Sequence, residues 1–146
     1  MKEIILIGLI TLIYSYNTAA AVDYARTYCQ NYNQKFQNYE RQGGDCANFV
    51  SQCLIAGGID LSGCYGNDKA GSIPNGPNLK SCLKQLGWKS STTRPSSFRP
   101  GYPIFLGDYR PVICSSIDGD TIYYCAHSID RCDYPLNMKN VLYYYL

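Results

Sequence analysis

Two side chains in this sequence are equipped for covalent chemistry and lie far apart along it: Cys46, directly after Gly43-Gly44-Asp45, and His127, the only histidine. A thiol attacks as its thiolate, and the first turn of a helix favours that ion through unpaired amides and the positive end of the macrodipole. The same amides can hold the oxyanion of a tetrahedral intermediate. A cysteine nucleophile also needs a base, ordinarily histidine, brought from elsewhere in the fold. The pair therefore points to acyl transfer from an amide. Taken without its surroundings, Cys46 reads as readily as a core residue or half of a disulfide.

Positioning such a pair requires a helix that begins at Cys46 and a strand that ends at His127. Phe49, Val50, Cys53 and Leu54 form one apolar face after Asp45, whose carboxylate is expected to cap the first turn, and Gly57-Gly58 supply a left-handed stop. Asn48, Ser51 and Gln52 share the opposite face and default to solvation. Upstream, Asn17 caps a helix reaching about Cys29. Residues 57–77 read as a long glycine-rich loop tethered by Cys64, and Asn78 is expected to cap a short helix through Leu79, Leu83 and Leu86. Residues 90–100 read as a connector.

Beyond Gly101 the pattern alternates, predicting strands at Ile104–Leu106, Val112–Ile117, Thr121–Ala126 and Val141–Leu146. Asp118-Gly119 is expected to turn the central hairpin, which sets Arg110, or after a one-residue slip Val112, across from His127. Helices followed by an antiparallel sheet make an α+β fold. The many tyrosines invite a sugar-stacking reading, yet in Tyr143-Tyr144-Tyr145 alternation alone turns at least one inward as core.

The chain has 146 residues, eight cysteines and a net charge of +2 without runs, which argues against nucleic-acid and polybasic membrane surfaces. Residues 1–15 carry a lysine and then an apolar run too short to span a bilayer, the form of a secretory signal, with cleavage between 15 and 21. Residues 16–146 then form one domain, destined for the extracellular space or the lumen of the secretory or phagosomal pathway. There, disulfides are expected. With Cys46 a working thiol and Cys53 its free companion, Cys29, Cys64, Cys82, Cys114, Cys125 and Cys132 remain for three bridges in unassigned order. A zinc site from Cys114, Cys125, His127 and Cys132 lacks a paired short cysteine motif and is the weaker reading.

Tyr16-Asn17, Ala21-Val22, Tyr24-Ala25, the block Asp45-Cys46-Ala47-Asn48-Phe49-Val50-Ser51-Gln52-Cys53-Leu54 with Ala56-Gly57-Gly58, and Ala126-His127-Ser128 with Asp130-Arg131 together resemble the putative amidase domain family. The resemblance implies a papain-like fold akin to that of bacterial cell-wall peptidases. It also implies a cysteine amidase or peptidase acting on peptide or peptidoglycan-type amides, without cofactor or metal, as a monomer. By position Cys46 would be the nucleophile and its amide part of the oxyanion hole, while Asn48, Ser51 and Gln52 would brace neighbouring loops. His127 occupies what looks like the orienting position, and the stretch where the base should stand reads Asp108-Tyr109-Arg110-Pro111. Arginine stays protonated and cannot serve. Either His127 itself reaches Cys46, with Asp130 a weaker candidate to steady the ring, or the site has lost its base and the domain only binds.

Overall fold

Asn17 accepts a hydrogen bond from the Ala20 amide at 3.0 Å and opens helix α1 (Thr18–Tyr28), which buries Ala21, Val22 and Ala25. Helix α2 (Cys46–Ala56) follows the polar loop as expected, and Gly58, at φ 97°, lets the chain turn out of its C-terminus. Helix α3 (Gly76–Gln85) starts earlier than its expected cap at Asn78. The cap is Asn75, whose side chain accepts from the Asn78 amide at 3.0 Å, because Pro77 is well suited to a first turn where no amide hydrogen is needed. The computed structural model describes residues 16–146, so the secretory-leader reading lies outside the described residues.

Six strands follow: β1 (Lys89–Ser91), β2 (Pro103–Phe105), β3 (Pro111–Asp118), β4 (Thr121–Ala126), β5 (Arg131–Pro135) and β6 (Leu142–Tyr145). They form one antiparallel sheet in the order β1-β6-β2-β3-β4-β5. The fold is α+β, with α1 and α2 packed on each other and on β3. Two strands went unforeseen. β1 lies within a stretch read largely as connector and β5 carries Arg131 and Asp133, so neither shows the alternation of a half-buried strand, and both are sheet edges. Tyr144 is buried beside its more exposed neighbours, as alternation demands.

The hairpin register differs from the expected one. Asp118 pairs with Thr121, which puts Gly119 and Asp120 in the turn, and a bulge between Cys114 and Ser116 shifts the ladder to Ile113 opposite Cys125. Carried on by two residues, that register brings Pro111, not Arg110 or Val112, level with His127. A bulge adds one unpaired residue and so slips every later partner by one.

Only two bridges form among the expected three, Cys29–Cys132 and Cys64–Cys82, each with Cα atoms 5.4 Å apart. The first ties the end of α1 to β5; the second staples the glycine-rich loop to α3. Cys53, Cys114 and Cys125 are buried free thiols in the core. Adjacent strands place Cys114 opposite Tyr124 rather than opposite Cys125.

Denaturation without reductant followed by iodoacetamide should therefore add four carbamidomethyl groups, at Cys46, Cys53, Cys114 and Cys125, countable by mass spectrometry. Six or two additions would mean a different bridge set. Burial pushes the Cys53 and Cys114 thiols up, the latter to about 12. Unfolded thiols ionise from about pH 8.5, so above that value the unfolded state releases protons first and stability declines, by about 1.4 kcal/mol per pH unit for each such thiol. The contribution is fully present below that pH. Calorimetric Tm measured from pH 8 to 11 should fall, and should fall less steeply in Cys114→Val.

Candidate active site

Asp45 occupies the N-cap position of α2, but its side chain makes no capping bond. Its Oδ1 accepts instead from the Tyr39 amide and from the Asn48 side-chain nitrogen, both at 2.9 Å, and its Oδ2 meets His127 Nδ1 at 2.6 Å. The expected cap is thus corrected: a charge-assisted bond to imidazole is stronger than a bond to a neutral amide and draws the carboxylate away from the helix. The Asp45 carbonyl still accepts from the Phe49 amide at 2.9 Å. Among the described residues no protein oxygen accepts from the amides of Cys46, Ala47 or Asn48. The helix start is left open.

His127 arrives at the end of β4 and is fully enclosed, its ring stacked between Tyr32 and Phe49 with centroids 4.2 and 4.0 Å away. Its Nε2 lies 2.6 Å from the Tyr28 carbonyl oxygen. Carboxylate on one nitrogen and carbonyl on the other are both acceptors, so the contacts are complete when both ring nitrogens carry hydrogen. The expected hydrogen bond between His127 and Cys46 is not formed, because both nitrogens are committed elsewhere. Nor does Asp130 orient the ring. The Tyr32 hydroxyl lies between Asp130 Oδ1 (3.2 Å) and Glu40 Oε2 (2.9 Å), and Asp45 holds the histidine.

The thiol of Cys46 is half-buried and faces a cleft of about 300 Å³ lined by Tyr39, Gly43, Gly44, Asn75, Gly76 and Tyr109. Gly76 lets the chain pass close there: a Cβ on it would stand 3.0–3.2 Å from the Tyr109 backbone, tight enough that one of the two must shift by a few tenths of an ångström. Burial pushes the Cys46 thiol up, against the expectation of a sulfur primed by the helix. The nearby Ser128 hydroxyl, the Arg110 guanidinium and the residue's own amide pull the other way, and the Glu40 carboxylate opposes them. Desolvation wins because the helix-terminal charge is only partial. Arg110 Nε is itself buried without a partner.

Ser128 and Glu40 line the site as well, though neither residue type nor spacing marks them for a role. The Ser128 hydroxyl accepts from the Asp45 amide at 2.7 Å and reaches Glu40 Oε2 at 3.0 Å. Ser128 lay within the recognised Ala126-His127-Ser128 stretch, but nothing in its type separates it from an ordinary turn former. The polar residues of α2 also behave differently from the solvated face expected of them. Asn48, Ser51 and Gln52 are all buried. Ser72 Oγ donates to Asn48 Oδ1 at 2.6 Å, Ser51 Oγ to the Ile73 carbonyl at 3.0 Å, and Tyr24 Oη to Gln52 Oε1 at 2.6 Å. A helix enclosed on both sides must satisfy its polar atoms internally. Among the described residues no group of three or more metal-binding side chains gathers; Cys132 is bridged to Cys29.

The family model for the putative amidase domain matches residues 15–109. No curated protein matches the chain. Among solved structures, the crystal structure of Ly7917 with the hydrolyzing product of MDP is 20% identical, with a TM-score of 0.46 over 88% of this chain and 56% of that one. The crystal structure of Ly7917 is 21% identical, with a TM-score of 0.41 over the same shares of 88% and 56%. The chain spans little more than half the length of that protein.

Removing the Asp45 carboxylate strands a buried imidazole, the Tyr39 amide and the Asn48 side chain together. Asp45→Ala should cost about 3–5 kcal/mol of stability in urea unfolding. A loss under 1 kcal/mol would mean that water replaces the carboxylate.

Proposed function

The chain belongs to the putative amidase domain family, and from that premise we propose that it is a cysteine-dependent amidase or peptidase of papain-like layout. The observation that carries this reading is the placement of Cys46: its thiol opens into a cleft at the start of a helix whose first-turn amides have no protein acceptor among the described residues. A peptide carbonyl seated there meets sulfur and amide donors at once. The sulfur adds to the carbonyl carbon, the oxygen takes the developing charge onto those amides, and collapse expels the amine and leaves a thioester for water.

Peptide amides are the substrate class, with bacterial wall peptides first among them through the resemblance to cell-wall peptidases. In this reading His127 is a positioning residue. Serving as base would require it to leave Asp45 and the Tyr28 carbonyl, whereas in place it fixes the helix start that presents Cys46. The domain acts outside the cytosol in this reading; two disulfides, and no described helix long and apolar enough to cross a membrane, are compatible with this.

A second reading, a binding module that keeps the groove without turnover, is favoured by one observation: the charge near the sulfur at the expected base position belongs to Arg110, which cannot take a proton. Hydrolysis of purified peptidoglycan fragments separates the two. The proposal expects amine release by the wild type and its loss, by at least about 1,000-fold, in Cys46→Ala. Equal release by both would remove Cys46 from the mechanism. Saturable binding without release would establish the binding module.

A further inference from the structure

One cation in this fold is taken out of water without any protein group to answer it. Arg26, Arg41, Arg94 and Arg99 are exposed, and Arg131, which is half-buried, donates to the Tyr124 hydroxyl at 2.8 Å and lies over the Tyr134 ring. Arg110 is half-buried as well. Among the described residues, however, its guanidinium has no carboxylate within ion-pair distance, and its Nε lies wholly below the surface with no acceptor. A guanidinium cannot shed its charge, so enclosing it unpaired is costly, and a buried donor left open calls for a partner from outside the chain.

The acids around the cleft are committed elsewhere. Asp45 holds His127, Asp68 accepts from the Tyr39 hydroxyl at 2.8 Å, Asp108 meets Lys80 Nζ at 3.4 Å, and Glu40 Oε2 is shared by the Ser128 and Tyr32 hydroxyls. Among the described residues no charged side chain lines the cleft itself. The backbone under Arg110 is meanwhile tied down: the Leu106 amide donates to its carbonyl at 2.8 Å, which closes the loop between β2 and β3, and its neighbour Tyr109 passes against Gly76 on the cleft wall. Arg110 directly precedes Pro111, the residue level with His127, and Ser128, next along from His127, accepts from the amide of Asp45 beside Cys46. A fixed cation beside an uncharged cleft is a place for an anion that arrives with the ligand.

We infer that Arg110 is the specificity-determining residue of this cleft, gripping a carboxylate that the substrate carries close to its scissile amide. This rests on the amidase reading above and narrows it, from peptides in general to acidic ones. A planar guanidinium matches a carboxylate with two parallel charge-assisted hydrogen bonds, which no neutral amide can reproduce. A peptide with its carbonyl on the helix-start amides and its carboxylate on Arg110 is held at two points, and two points fix the carbonyl against the sulfur. The terminal α-carboxylate of a peptide and the side chain of an acidic residue share this chemistry. Arg110 makes and breaks no covalent bond and moves no proton; it binds and orients.

Three blocked dipeptides test this by isothermal titration of the full Cys46→Ala protein, where turnover through the thiol cannot interfere: N-acetyl-alanyl-glycine with its terminal carboxylate free, the C-terminal amide of the same dipeptide, and the C-terminal amide of N-acetyl-alanyl-glutamate. At least one of the two acids should bind about 10-fold or more tightly than the neutral amide, and which one does so identifies the source of the carboxylate. Arg110→Gln in the same background should erase that preference and leave the weaker binding of the neutral amide as it was. Equal affinity for all three, no binding of either acid at millimolar concentration, or a preference for acid that survives Arg110→Gln overturns the inference. Since the guanidinium has no protein partner, the Tm of Arg110→Gln should match or exceed that of the parent. A fall of more than about 5 °C would give Arg110 a structural role and overturn the inference too. Failure of the amidase reading looks different. Peptidoglycan-fragment hydrolysis undiminished in Cys46→Ala defeats the cysteine mechanism and leaves the titrations to judge Arg110, whereas wild-type hydrolysis of all three dipeptides with equal KM defeats the role of Arg110 alone.

Discussion

The buried contact between Asp45 and His127 organises the rest of the site. Both side chains are fully enclosed, and an enclosed carboxylate is tolerated only when hydrogen-bond donors surround it. Asp45 finds three donors, from the loop before α2, from α2 itself and from the end of β4, while His127 adds the carbonyl at the C-terminus of α1. The end of α1, the start of α2 with its preceding loop, and the end of β4 are thereby joined at one point. The arrangement is demanding because loss of any partner leaves a polar group in a place without water.

That contact has a consequence for chemistry. A carboxylate turned toward imidazole does not cap its own helix, so the first-turn amides stay free beside the sulfur. The imidazole in turn is consumed as a strut, stacked between Tyr32 and Phe49. The protein therefore keeps a helix start with unpaired amides beside Cys46, while both nitrogens of its histidine are engaged by Asp45 and the Tyr28 carbonyl. Around that sulfur stand a serine, a glutamate and an arginine, and the thiol is held in its neutral form more firmly than in water.

The cleft is built by the same internal polarity. Ser72 and Ile73, at the end of the long loop, bond to Asn48 and Ser51 on the buried side of α2, and the Cys64–Cys82 bridge holds the loop from its other side. This brings Asn75 and Gly76 against Tyr109, opposite Tyr39 and the Gly43-Gly44 turn. Loops pinned to a helix by hydrogen bonds from its own side chains keep a groove in register with the helix start.

Local chemistry carried a large part of the fold. The asparagine cap of α1, the apolar face of α2 and its glycine stop, and the alternating strands beyond Gly101 all follow from short-range rules. Together they settle the α+β class and the placement of Cys46 at a helix start. What the sequence left open is long-range by nature. A bulge at Cys114–Ser116 moves every later strand partner, yet it depends on packing that no local pattern records. The polar side chains of α2 look solvated until a loop more than twenty residues away covers them. Whether His127 faces Cys46 or Asp45 is a competition between a neutral thiol and a buried carboxylate. Sequence names the contestants, and only the folded chain, by enclosing the carboxylate, decides in its favour.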